Sequence, residues 1–477
     1  MSITPDPAAL ELSPEDMKAL GYRIIDMLVD HHVNLKQSHP AGTISRAAAE
    51  ALLREPAPRG SSAPEEVLEE LEDKVICNTL FPTHHRHFGW IPGPSNFVGA
   101  MGDAIASGFN FCPGLWLEAS AASQVELVVV DWLRELCDMP EGAGGLFVSG
   151  GSVANLTALA TARRVKLGFE FANTIVYCSD QTHRSNAKNL RILGFAPEQL
   201  VSVPTDDVLR LDVTALARAI AADRAAGRRP FCIIANAGTT NTGAVDPLDA
   251  LADLCSVEDI WLHVDGAYGA AAMLTEKGRV AMKGIGRVDS LAIDPHKWMF
   301  QPYEIGCVLV RDVRWLPPTF GEQPEYLQDT HTGDDPSGEI NFGDYGVQLS
   351  RGFRALKLWM SIKVFGVDAF RAAIDRGIAN AERAEAMLRE AGDFEIVTRA
   401  QLGIVTFRFL RNGADTDELD RVNLAIIDGA IADGYAFLTS TRIGGHVVLR
   451  LCTINPRTTE ADLQGTVNLI ARLGAEA

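Results

Sequence analysis

No stretch of this 477-residue sequence stays apolar for long enough to cross a membrane. Its first residues, MSITPDPAALELSPED, are acidic and carry no leader-like apolar core, so the cytoplasm is the expected location. Positive charge is scarce: 43 Lys and Arg stand against 62 Asp and Glu, the net charge is −19, and no basic cluster offsets it. Such a surface repels phosphate backbones and anionic lipid, which argues against nucleic-acid or membrane partners. There is no CxxC pair. The eight cysteines (Cys77, Cys112, Cys137, Cys178, Cys232, Cys255, Cys307 and Cys452) are scattered, several inside apolar runs such as Phe231-Cys232-Ile233-Ile234, as buried free thiols of a reducing compartment would be. Repeats and low-complexity tracts are lacking too. What is present is an ordinary globular composition, 47% hydrophobic and 22% charged, in a chain too long for one small core.

Residues 13–80 read as amphipathic helices interrupted by the Pro-, Gly- and Ser-rich stretch REPAPRGSSAP (54–64). An apolar-faced helical arm cannot bury itself alone, so it is expected to pack on the main body or on a second subunit. From about Leu146 short β-branched runs alternate with helical stretches: TIVYCS (174–179), LVSVP (200–204), PFCIIANAG (230–238), IWLHVDGA (260–267) and SLAID (290–294). This spacing predicts an α/β unit with a mostly parallel sheet covered on both faces, whose ligands bind beyond the carboxyl ends of the strands. A boundary is expected near Arg354, where a helix over 353–365 leads to a smaller α+β unit containing LGIVTFRF and HVVLRLCTI. The division expected is therefore an arm over 1–80, a large domain over 81–353 and a small domain over 354–477.

Asp294-Pro295-His296-Lys297-Trp298 follows one of these strands and places a lysine at its end, in partly apolar surroundings that can lower its pKa and free an amine for a Schiff base. A lone lysine there is more often a surface residue or an ion-pair partner, so its companions matter. Some thirty residues upstream, His263-Val264-Asp265-Gly266-Ala267-Tyr268 ends the neighbouring strand. Asp265 has the character needed to keep a pyridine nitrogen protonated, as pyridoxal 5′-phosphate (PLP) requires, and Ala267 is small enough to let a ring lie flat. An unpartnered Asp at a strand end is otherwise only a helix cap. Ser149-Gly150-Gly151-Ser152 opens a helix whose first amides can hold a phosphate, although a Gly-Gly-Ser turn by itself is a weak signal. Asp180-Gln181-Thr182-His183, Gly238-Thr239-Thr240 and Asp246 add polar groups at further strand ends.

DPHKW (294–298) and HVDGAY (263–268), followed in order by similarities at DQTHRS (180–185), GTT (238–240), RGFRALKLW (351–359) and VVLRLCTINPRT (447–458), resemble the PLP-dependent group II amino acid decarboxylases of fold type I over nearly the whole chain. That family includes aromatic-L-amino-acid, histidine and glutamate decarboxylases. The resemblance implies that Lys297 carries PLP, Asp265 pairs with the pyridine nitrogen and His183 stacks on the ring. It further implies that Gly151, Ser152 and His296 serve the phosphate, that Thr239 and Ala267 flank the ring, and that the protein is a homodimer whose arm wraps the partner. The sequence departs from the pattern in the segment Tyr326 to Asp344, which has the character of a lid loop. Counted back from RGFRALK, the place of the family's proton-donating tyrosine falls on Phe342. A phenylalanine there is associated in the family with oxidative deamination to an aldehyde, since a carbanion with no acid at hand survives to meet O₂. Tyr345 and His331 are the alternative acids.

The stretch from His87 through Trp90, Phe109, Phe111 and Trp116 corresponds to the family's side-chain pocket and suits an aromatic substrate, while also reading simply as core. A glutamate-type substrate would need a cation, for which Arg86 and Arg184 are present but not placed. Arg450 resembles a family arginine near the cleft, with a structural salt bridge as the other reading. His84-His85-Arg86-His87 lacks the spacing of a zinc site, and no metal is expected. Decarboxylation of an L-amino acid is the favoured activity. An aminotransferase or lyase on the same fold is the second enzyme reading, and a non-catalytic PLP-binding protein, which would usually lose Lys297 or Asp265, is the third.

Overall fold

The computed structural model describes residues 10–40, 42–322 and 338–477. Seven strands form the larger sheet: β1 (Gly144–Val148), β2 (Thr174–Ser179), β3 (Leu200–Val203), β4 (Arg229–Asn236), β5 (Trp261–Asp265), β6 (Ser290–Ile293) and β7 (Gly306–Val310). Their order is β1-β7-β6-β5-β4-β2-β3. All neighbours run parallel except β7, which is antiparallel to both β1 and β6. β2, β5, β6 and β7 are buried along their whole length, as strands covered on both faces must be. The period-two geometry of a strand shows in how they pack. In β2, Ile175 and Tyr177 enter one apolar cluster while Val176 and Cys178 enter the cluster on the opposite face.

A second sheet, fully antiparallel and ordered β10-β11-β9-β8, is built from β8 (Phe394–Gln401), β9 (Ile404–Phe409), β10 (Thr439–Ile443) and β11 (His446–Cys452). The helices Ala355–Phe365 and Val367–Ala391 lead to it from the first sheet. Residues 84–90 lie against this second sheet, where the Phe88 amide donates to the Phe437 carbonyl at 2.7 Å. At the other end of the chain stand the helices Pro14–Asn34, Arg46–Leu53 and Pro64–Lys74, none of which contains a buried residue. The first begins where Ser13 accepts from the Asp16 amide, with Pro14 in the first turn. No helix among the described residues is long and apolar enough to cross a membrane.

Among the described residues the imidazoles of His84, His87, His263 and His296 are buried. Burial is the main cause that pushes His84 and His87 down to about 4, and it lowers His263 as well. A neutral buried imidazole stabilises the fold fully above the unfolded value near 6.5, and that stability is lost as pH falls toward the folded value, at about 1.4 kcal/mol per pH unit. Asp246, which burial pushes up to about 6, acts in the opposite sense, adding stability as pH falls below that value. With more imidazoles than carboxyls of this kind, the unfolding free energy should drop by at least about 2 kcal/mol between pH 7 and pH 5. Denaturant titrations at the two pH values measure this, and a flat or rising stability would contradict it.

Candidate active site

A cavity of about 310 Å³ opens at the carboxyl ends of β4, β5 and β6. The register sets Asn236 beside Asp265 and Asp265 beside Ala292, so the ends of the three strands lie level. The turn after β6 then brings Asp294, His296 and Lys297 into the wall, with the Lys297 amide donating to the Asp294 carbonyl. From the other side comes the turn between β1 and the helix Gly151–Leu167, contributing Ser149, Gly150, Gly151 and Ser152. Its glycines are required by close approach: a Cβ on Gly151 would lie 2.8 Å from Asp294 Oδ2 and 3.0 Å from the Ala267 methyl, and one on Gly150 would lie 3.1 Å from His296 Cε1. His183, Thr239 and Ala267 complete the wall among the residues expected there.

Asp265 is held from three directions. Its Oδ2 accepts from Asn155 Nδ2 at 2.8 Å and Asn186 Nδ2 at 2.9 Å, and its Oδ1 from the Ala267 amide at 3.3 Å. Behind it, His263 Nε2 faces Asn155 Oδ1 at 3.0 Å, and its Nδ1 faces Ser290 Oγ at 2.9 Å. Because an amide oxygen only accepts, the proton is assigned to Nε2, and the chain His263–Asn155–Asp265 fixes the carboxylate's orientation. Asn155 lies one helical turn after Gly151, and Asn186 three residues after His183; the sequence reading assigned neither of them to the carboxylate. Asp246 is not in the wall. Fully buried, it accepts from the Asn236 amide and side chain and from the Leu211 amide, and so positions Asn236, which does line the cavity.

Residues 48–410 match the family described as "Pyridoxal-dependent decarboxylase conserved domain". The aromatic-L-amino-acid decarboxylase of Bacillus atrophaeus is 49% identical over 469 residues, spanning 98% of this chain and 97% of that protein. The chain belongs to the pyridoxal-dependent decarboxylase family. Among solved structures, Oryza sativa TDC with PLP and tryptamine superposes with a TM-score of 0.93 at 29% identity, covering 99% of each chain. A phenylacetaldehyde synthase of Petunia hybrida, 28% identical over 94% of this chain and 92% of its own, matches as well. The enzyme is thus a PLP-dependent decarboxylase of fold type I, and the cavity fits that cofactor. It joins in one volume a lysine, a carboxylate furnished only with hydrogen-bond donors and the N-terminus of a 17-residue helix.

Several expectations need correction in this decarboxylase. Lys297 does not have a lowered pKa. Burial pulls it down, but the nearby carboxylates of Asp294 and Asp265 outweigh burial and hold it above the ordinary lysine value. Its Nζ lies 3.0 Å from Asp294 Oδ2. Phe342 is fully buried, packed with Leu146, Val148, Val308 and Leu316 under the Arg351 guanidinium, which lies 4.8 Å over its ring. It is absent from the cavity wall, and so is Tyr345, whose ring meets Phe342 edge-on at 5.8 Å. His331 lies outside the described residues, as do positions 326–337 of the expected lid. Trp90, Phe109, Phe111 and Trp116 do not line the cavity either. Trp90 is tied to its rim indirectly: Arg450, expected either near the cleft or in a salt bridge, lies beside the cleft and donates to the carbonyls of Trp90, Asn241 and the cavity-lining Thr240. Arg86 is engaged by the Tyr435 carbonyl and Asp462.

Because Phe342 sits in a sealed apolar cluster, Phe342→Tyr should leave the amine-to-aldehyde ratio unchanged and cost about 1–3 kcal/mol for an unsatisfied buried hydroxyl. Product analysis and thermal melts check the two halves separately. A shift of product toward amine would restore Phe342 to the reaction.

Proposed function

We propose that this enzyme decarboxylates an aromatic L-amino acid to the corresponding amine, with the cofactor on Lys297. The observation that carries the reading is that Lys297, Asp265 and the Gly150–Gly151 helix start share one cavity. PLP, when bound, supplies an electron sink for the charge left on Cα as CO₂ departs. The chain's residues do the rest. Asp265, oriented by Asn155 and Asn186, would pair with the pyridine nitrogen. His183 would cover the ring, Thr239 and Ala267 would flank it, and Gly151, Ser152 and His296 would serve the phosphate.

An aromatic substrate is supported by the Bacillus atrophaeus relative and by the engagement of Arg86 elsewhere, which leaves it unavailable to a distal carboxylate. The proton acid is assigned by elimination. With Phe342 and Tyr345 off the cavity wall, Tyr326 and His331 remain in the segment, both outside the described residues. Replacing each in turn and finding more aldehyde in air would identify the donor.

A homodimer is part of the proposal, supported by the three helices of the arm, which bury no residue, and by exposed apolar residues such as Phe109 (75%) and Leu117 (74%). So are the domain limits 1–80, 81–353 and 354–477 and a reducing, cytoplasmic setting, which the eight free cysteines favour. To test the activity, PLP-loaded protein is incubated in air with a panel of L-amino acids while CO₂, amine, aldehyde and peroxide are recorded together. Amine matching CO₂ from tryptophan, tyrosine or phenylalanine, and not from glutamate, is expected. CO₂ from glutamate would overturn the substrate class, and aldehyde with peroxide would overturn the outcome.

A further inference from the structure

Asp294 is a second carboxylate in the cavity, and neither the cofactor chemistry nor the fold accounts for it. It is 2% exposed. One oxygen, Oδ2, faces Lys297 Nζ at 3.0 Å and His296 Nε2 at 3.5 Å; the other, Oδ1, is buried without a hydrogen-bond partner. Both point at glycines of the anion-binding side: Oδ2 lies 2.8 Å from where a Cβ on Gly151 would sit, and Oδ1 2.7 Å from the same position on Gly306. The residue thus stands between the lysine and the helix start that would receive a phosphate.

Charge is the difficulty. Among the described residues the lining holds two aspartates and one lysine and no arginine. His296 adds nothing, since burial lowers its pKa and its Nδ1 accepts from the Ile305 amide. The other titratable groups acting on this cluster are Tyr303 on Lys297, Lys357 on His296 and Cys307 beside Asp294, and burial raises both Tyr303 and Cys307, keeping them neutral. A phosphate dianion added to this pocket meets a like-charged carboxylate at close range, with screening by solvent largely removed. Asp265 cannot relieve this by taking a proton, because the three groups around it all donate.

We propose that Asp294 is a proton-accepting positioning residue that couples cofactor seating to release of the Lys297 amine. In the cofactor-free protein it is the carboxylate partner of the Lys297 ammonium. As the phosphate enters, the Nζ–H bond breaks and an Oδ–H bond forms on Asp294. The proton stays within the pair, the amine recovers its lone pair, and the neutral acid becomes a donor toward the phosphate side. No other reactant is needed. The inference rests on the assignment of the pocket to PLP with its phosphate at the Gly150–Gly151 turn.

The test is an infrared difference spectrum of the protein with and without PLP, recorded beside the visible absorbance. The carbonyl stretch of a protonated carboxylic acid should appear on loading, shift in ¹³C-aspartate-labelled wild type, and be missing in Asp294→Asn and in wild type given pyridoxal, which lacks the phosphate. Separately, cofactor-free Asp294→Asn should bind inorganic phosphate about tenfold more tightly than wild type, its lysine being freed for the anion. A visible cofactor band with no labelled-aspartate carbonyl, or equal phosphate affinities, overturns the role of Asp294 and leaves the cofactor assignment standing. If PLP yields no visible band at all, the cofactor assignment falls, and this proposal with it. Labelled wild type keeps the test decisive should the variant not fold.

Discussion

Lys297→Ala protein should lose the visible absorbance of the bound cofactor, and its turnover should fall by on the order of 10⁵-fold, the scale on which tethering a reactant contributes. Lys297 sits in the turn after β6 with its ammonium against Asp294, and among the described residues it is the one lysine in the cavity wall. Lys357, the next lysine toward the C-terminus, is bound to Asp103 and to the carbonyls of Pro302 and Glu304, so it cannot substitute. The variant should otherwise keep its fold, since β5, β6 and β7 are packed by residues other than the lysine. Absorbance and product formation measured on the same preparation check this, and retention of either signal at wild-type strength would overturn the assignment.

Asp265→Asn should be the next most damaging change. In the native arrangement two amide groups and one backbone amide all donate to the carboxylate. An asparagine can turn only its oxygen toward Asn155 and Asn186, which directs its own NH₂ to the remaining side. It then has no charge to hold a proton on the pyridine nitrogen, and without that proton the ring is a poor electron sink. Losing one partner of a buried ionic contact typically costs about 3–5 kcal/mol, or roughly 10²–10⁴ in rate. A merely structural defect would not respond to the cofactor's own charge, so reconstitution with an N-methylated PLP, which is permanently cationic, should restore part of the lost rate. Equal activity of the two reconstituted forms would count against the role.

The centre of the large sheet was legible because its strands are buried on both faces and therefore spelled as continuous β-branched runs ending in polar residues. β2 matches the run 174–179 residue for residue, and β3 to β6 begin or end within two residues of the predicted runs. β7 was not foreseen: Gly306–Val310 follows the lysine turn without a helix before it, so the alternation that flags parallel strands is absent, and it runs antiparallel. In the second sheet β8 and β10 escaped notice because exposed and half-buried positions interrupt their apolar pattern. At the site, residues on sharp turns could be read individually, whereas Asn155 and Asn186 act through one carboxylate and their partnership depends on two helices meeting. Phe342 shows the limit of counting positions in a loop. Spacing from a motif fixed its number in the chain, but the apolar neighbours Leu146, Val148 and Val308 drew its ring into a core. The raised Lys297 pKa had the same origin, since the carboxylate three residues earlier in sequence folds back onto the amine.

The most direct measurement of the central claim is to reduce PLP-loaded protein with borohydride, digest it and locate the phosphopyridoxyl group by mass spectrometry. The account predicts a single modified site, Lys297, in the peptide containing Asp294-Pro295-His296-Lys297-Trp298. Modification at another lysine, or none in a preparation that decarboxylates amino acids, would contradict it.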